Sequence, residues 1–156
     1  MNVAGPMPPM IGWRYNANMR IVQTPDFVVI RGEMQGARII PIGAEFSNIG
    51  PTWMGESVGR WEDDTLVVHT KGFRPEQSWF WIRSSEHLEV TEYFDLVSQG
   101  NIRYRYVVTD PEIYTAPWTV EMSITRRPPG EYLYEFACHE GNYSFGAILR
   151  GARVAE

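Results

Sequence analysis

The sequence predicts an all-β fold, an antiparallel meander closed as a barrel or stacked as a sandwich. Three observations predict it: short runs with apolar residues at alternate positions recur along the chain, turn residues punctuate them at close intervals, and no long amphipathic stretch at helical spacing is present. With 156 residues the chain is long enough for one domain with a real core. A single domain over 1–156 is expected, its first 19 residues irregular because they are rich in Pro, Met and Asn.

The first three runs are Met19–Gln23, Asp26–Gly32 and Ala37–Ile42, separated by Thr24-Pro25-Asp26 and Gln35-Gly36. Ser57–Trp61 and Thr65–Lys71 then flank Asp63-Asp64, a pair suited to a tight hairpin turn. Along Thr65–Lys71, alternation turns Leu66, Val68 and Thr70 to the core and His69 and Lys71 away from it. Trp53-Met54-Gly55 and Gly59-Arg60-Trp61 read as structure, since glycine lets a strand bend or approach another closely.

Glu86–Val97 is the most informative run. One face carries Glu86, Leu88, Val90, Glu92 and Phe94, and the other His87, Glu89, Thr91 and Tyr93. Two carboxylates therefore share the more apolar face, a costly placement unless each is paired, hydrogen-bonded or protonated. After Gln99-Gly100, Asn101–Thr109 places Ile102, Tyr104, Tyr106 and Val108 on one face and Arg103 and Arg105 on the other. Trp118–Arg126 turns Trp118, Val120, Met122 and Ile124 inward. On Tyr132–Cys138, Tyr134, Phe136 and Cys138 share a face with the Glu140 that follows, and Gly146–Arg150 suits a helical turn.

Closed as a barrel of about eight strands, such a meander has room for one small ligand. Aromatic residues make up 13% of the chain, so an aromatic-lined cavity competes with a simply large core. In the cavity reading, Glu86, Glu92 and Glu140 lie at its walls or mouth. A formal net charge of -5 argues against nucleic acid as a partner, and no polybasic run suggests a membrane surface. No apolar stretch reaches the roughly 18 residues of a membrane span. The start lacks the charged and apolar segments of a signal peptide, so the expected location is the cytoplasm, unless the chain begins after a removed segment. Cys138 is the only cysteine and has no intrachain disulfide partner. No GxGxxG, Walker or GxSxG pattern supports nucleotide or hydrolase-elbow chemistry.

Several segments carry a resemblance together: Ile21-Val-Gln-Thr-Pro25, Ala37-Arg-Ile-Ile-Pro41, Thr52-Trp-Met-Gly-Glu-Ser-Val-Gly-Arg-Trp-Glu-Asp-Asp-Thr-Leu-Val-Val68, Ser84-Ser-Glu-His-Leu-Glu-Val-Thr-Glu92, Tyr114-Thr-Ala-Pro-Trp118 and Tyr134-Glu-Phe-Ala-Cys-His-Glu-Gly-Asn-Tyr143. From about Tyr15 onward the chain resembles a largely uncharacterised bacterial family of β-proteins, many of whose members look exported. The resemblance implies a lipocalin-like barrel, and its pattern includes glutamates matching Glu86, Glu92 and Glu140 and the run Cys138–Asn142. The chain departs from that pattern at His69, where an acidic residue is usual, and at Ser78-Trp-Phe-Trp-Ile-Arg83, which replaces a shorter polar connection.

Inward glutamates among aromatics predict a cofactor-independent acid/base enzyme, a lyase, hydratase, isomerase or cyclase, acting on a small, mostly apolar or aromatic molecule. Glu92, Glu86 or His139 would move the proton, and Tyr106, Tyr104 or Tyr114 would donate to a developing oxyanion. Trp79, Trp81, Tyr104, Tyr114, Trp118, Met122, Phe136 and Glu140 would line the site. His139 turns inward only if its strand ends at Cys138. The competing reading pairs the glutamates with Arg60, Arg83, Arg103 or Arg105. It leaves a non-catalytic lipocalin-like carrier, or an interaction domain that forms a homodimer through residues 78–83. No cofactor is expected. A metal held by His139, Glu140 and Glu92 with His69 or His87 lacks HxH, HExxH or CxxC spacing.

Overall fold

The computed structural model describes residues 8–10, 18–33, 36–47, 49–77, 83–134, 140–141 and 143–154. Among them, β1 (Met19–Gln23), β2 (Phe27–Gly32) and β3 (Ala37–Pro41) form a three-stranded sheet in that order. β4 (Glu56–Glu62), β5 (Thr65–Lys71), β6 (Glu89–Ser98), β7 (Asn101–Thr109) and β8 (Trp118–Thr125) form a five-stranded sheet, also in chain order. Every ladder is antiparallel. A helix, α1 (Tyr143–Val154), follows and is longer than the single turn expected at 146–150.

Neither sheet is closed into a barrel. A 14-residue connection, 42–55, separates β3 from β4, so the two strands do not fold back as a hairpin and instead meet side by side. Ile42 and Gly59 form one isolated parallel bridge there, with the Gly43 N–H donating to the Gly59 carbonyl at 2.8 Å. Glycine is required at that contact. A Cβ on Gly59 would lie 2.8 Å from Ile42 Cδ1 and 3.0 Å from Ile40 Cγ2. At the opposite side, Arg127 Nη1 donates to Asn18 Oδ1 at 2.5 Å, tying the end of β8 to the start of β1 without a ladder. Of the predicted ninth strand, Tyr132–Tyr134 is not extended into a ladder and its two tyrosines are exposed, while 135–138 lies outside the described residues.

The inward faces meet in one core, as in a sandwich. Val28, Ile30 and Ile40 from the small sheet pack with Leu66, Val68, Val90, Phe94, Tyr104, Tyr106 and Val108 from the large one, and Met10 joins them from the N-terminal segment. Full burial of a Val, Leu, Ile or Phe side chain contributes roughly 1.5–3 kcal/mol, and it is this shared layer that holds the two sheets together. The residues facing inward on β5, β7 and β8 are those the alternation predicts. β6 differs at its start: it begins at Glu89, and Glu86 and His87 sit in a turn. Ser85 makes that turn. Its hydroxyl oxygen accepts from the His87 N–H at 3.0 Å, and the Leu88 N–H closes on its carbonyl at 3.4 Å. Asp110 in turn anchors Ser85 through the Ser85 N–H at 2.6 Å and hydroxyl at 2.8 Å. No helix among the described residues is long and apolar enough to cross a membrane.

Candidate functional site

Two clusters of functional side chains lie on the inward faces. The first is a closed polar centre. Arg38 on β3 crosses from the small sheet to Glu92 on β6, and both residues are buried. Arg38 Nη1 donates to Glu92 Oε1 at 3.0 Å and Nη2 donates to Glu92 Oε2, a bidentate pair. Nη2 also reaches Thr70 Oγ1 at 2.9 Å, Nε reaches Ser57 Oγ at 3.1 Å, and the two hydroxyls lie 2.9 Å apart. The register makes this convergence possible, since Ser57 stands opposite Thr70 on neighbouring strands and Thr70 opposite Val90, two residues from Glu92. The Tyr104 hydroxyl donates to Glu92 Oε1 at 2.7 Å and accepts from the Met10 N–H at 2.8 Å. Burial, reinforced by the charge of Glu92 and that hydrogen bond, pushes the Tyr104 phenol well above its ordinary range. Both Glu92 oxygens are thus engaged by buried donors, and the carboxylate has no exposed surface from which to meet a ligand.

The second cluster runs along β7 and β8 to the loop after β7. Phe94 and Tyr104 pack tilted with ring centres 4.9 Å apart and Tyr104 and Tyr106 likewise at 5.6 Å, while Tyr106 and Trp118 meet edge-to-face at 6.0 Å and Trp118 and Tyr114 at 5.8 Å. The row starts in the closed centre and ends at an open edge. Tyr104 and Tyr106 are buried, whereas Tyr114, Trp118, Val120 and Met122 are only half-buried. Tyr114 is fixed by its hydroxyl, which accepts from the Arg83 N–H at 2.9 Å and lies 3.1 Å from the Arg83 carbonyl. Trp118 Nε1 is a buried donor with no acceptor among the described residues. An unsatisfied buried donor costs about 1–3 kcal/mol, so the feature demands a reason. Desolvation pushes the Tyr106 phenol upward as well.

The predicted site residues therefore separate. Glu92 and Tyr104 belong to the closed centre. Tyr106, Tyr114, Trp118 and Met122 gather at the open end. Glu86, expected on the inward strand face, is exposed in the Ser85 turn, and Glu140 is exposed in another turn. Trp79, Trp81, Phe136 and His139 lie outside the described residues, as does Cys138. His69 faces outward and meets Glu89 at 3.1 Å, and the exposed His87 meets Glu112 at 3.0 Å. No three His, Cys, Asp or Glu side chains among the described residues converge on a metal position.

An arginine does hold Glu92, but none of the four the sequence offers. Arg60 bonds Glu62 at 2.5 Å, Arg103 bonds Asp95 at 3.0 Å, Arg105 lies 3.7 Å over the Tyr93 ring, and Arg83 is exposed. Arg38 escapes sequence reasoning because its strand is apolar on both faces. Arg38 and Ile40 point inward, yet Ile39 between them is 60% exposed, so alternation alone does not tell the two faces apart. Ser57, Thr70 and Asp110 are small polar residues on or beside apolar runs, and only the partners supplied by distant strands reveal their role. Compared with protein-family models, with curated proteins and with solved structures, the chain matches none.

Proposed function

We propose that this protein binds a small, ring-containing, mostly apolar molecule at the β7–β8 end of the five-stranded sheet, and does so without transforming it. The observation that carries this reading is the change in cover along one aromatic row. Its Tyr104 end is enclosed, while its Trp118–Tyr114 end remains half-open on an inward, apolar face. Binding sites typically pair such an apolar wall with a few polar groups.

Acid/base turnover is the second reading: the Tyr106 hydroxyl, next to Trp118 at the open end of the row, would donate to a developing oxyanion. It requires a base other than Glu92, whose oxygens are occupied by Arg38 and Tyr104.

The test is ligand-observed NMR on the full chain with neutral monocyclic and bicyclic aromatics, ethylbenzene and acetophenone among them. Saturable transfer is expected, and Met122→Lys, which places a charge on the apolar wall, is expected to abolish it. If no member of the set binds the folded protein, the binding reading is overturned.

A further inference from the structure

We infer that the ligand is anchored by a neutral carbonyl-type oxygen that accepts hydrogen bonds from Trp118 Nε1–H and the Tyr106 hydroxyl. This rests on the binding reading above and narrows it to a chemical class. Trp118 Nε1 is buried and has no acceptor among the described residues. Tyr106 is 3% exposed, and its hydroxyl makes no hydrogen bond to a described residue. The other two tyrosines of the row differ, since Tyr104 bonds Glu92 and Met10 and Tyr114 bonds the Arg83 backbone. The two unpaired donors sit on rings in edge contact, 6.0 Å apart and inclined at 73°.

The chemistry of the two groups selects the ligand atom. An indole N–H only donates, and a phenol held in its protonated form is available to donate beside it. The indole therefore calls for an acceptor, and the phenol, which can donate or accept, can donate to the same atom. A carboxylate would bring a charge into a buried place and would need a cation to offset the loss of water. Arg83, whose backbone holds Tyr114 at this end, is exposed, and none of the cation–ring contacts among the described residues falls on this row. A neutral ketone, aldehyde, ester or amide oxygen satisfies both donors without that cost. The rings Tyr114 and Trp118 and the Met122 side chain then accommodate the apolar body.

The experiment follows the Trp118 indole N–H in a proton–nitrogen correlation spectrum of the full chain, its peak identified by its loss in Trp118→Phe. Four probes are titrated: acetophenone, ethylbenzene, benzoate and tetramethylammonium. Acetophenone is expected to move the indole proton downfield in a saturable way and to bind about 30-fold more tightly than ethylbenzene, the weight of two net hydrogen bonds. Tyr106→Phe is expected to reduce that preference. Equal affinity for acetophenone and ethylbenzene overturns the carbonyl anchor and leaves the binding reading standing. Tighter binding of benzoate, or of tetramethylammonium through the aromatic faces, also overturns it. Binding of none of the four by the folded protein sinks the binding reading itself.

Discussion

Tyr104 and Tyr106 stand two residues apart on β7, face the same way and are both buried, yet their hydroxyls have opposite surroundings. Tyr104 is built into a network in which Glu92, Arg38, Thr70 and Ser57 engage one another. Tyr106 lies tilted against the Tyr104 ring and edge-to-face with Trp118, whose N–H has no acceptor among the described residues. The difference separates two meanings of a buried polar group. Where donors and acceptors pair off within the chain, the cluster specifies how the two sheets sit on each other. Where donors are left over at a half-covered edge, the chain holds recognition capacity it does not itself use.

The largest effect should come from breaking the closed centre. Glu92→Gln or Arg38→Met alone leaves a buried charge without its partner and is expected to cost about 3–5 kcal/mol in chemical denaturation. Replacing both, Arg38→Met with Glu92→Leu, should recover most of that loss, because two apolar side chains of similar volume leave no charge to compensate. A Glu92→Gln protein as stable as the parent would show that the pair does not hold the sheets, and would reopen Glu92 for chemistry.

Next in size is a matched comparison on one strand. Tyr104→Phe removes the hydroxyl that serves Glu92 and the Met10 N–H, and should cost about 1–3 kcal/mol. Tyr106→Phe deletes the same atom where no described residue bonds it, and should change stability by less than about 0.5 kcal/mol. Equal losses at the two positions would erase the distinction between the closed centre and the open end.

How far the sequence foretells this arrangement depends on how many strands a feature needs. Features confined to one strand are legible. The inward faces of β5, β7 and β8 follow from alternation, and the Asp63-Asp64 turn follows from its residues, Asp63 taking the positive φ of 50° that such hairpins use. Features that need two strands to be placed relative to each other are not. Glu92 reads as an inward carboxylate, but Arg38 comes from the other sheet, 54 residues away, on a strand whose two faces are both apolar. Closure as a barrel fails for the same reason, since the β3–β4 contact is one bridge over Gly59 and not a ladder. Glu86 is misplaced by a local competitor, the Ser85 side chain, which captures the His87 N–H before the strand can start.

The smallest and finest test is alkaline titration of tyrosinate absorbance. Tyr104 and Tyr106 both have phenols raised above the ordinary value, Tyr104 by burial and then by Glu92, Tyr106 by burial. A group raised on folding contributes stability that is fully present below its unfolded value, about 10 for tyrosine, and is lost as pH climbs through the folded value. Stability should therefore begin to fall above that point. Tyr106 should ionise above the ordinary phenol range, reversibly and with the sheets intact, and Tyr104 only as the sheets unfold. Tyr106→Phe should delete the late reversible step, and Tyr104→Phe should leave that step in place. If Tyr104 ionises reversibly while circular dichroism still reports native strands, hydroxide and water reach Glu92. The centre described here as closed would then be an accessible site, and the contrast along β7 would collapse.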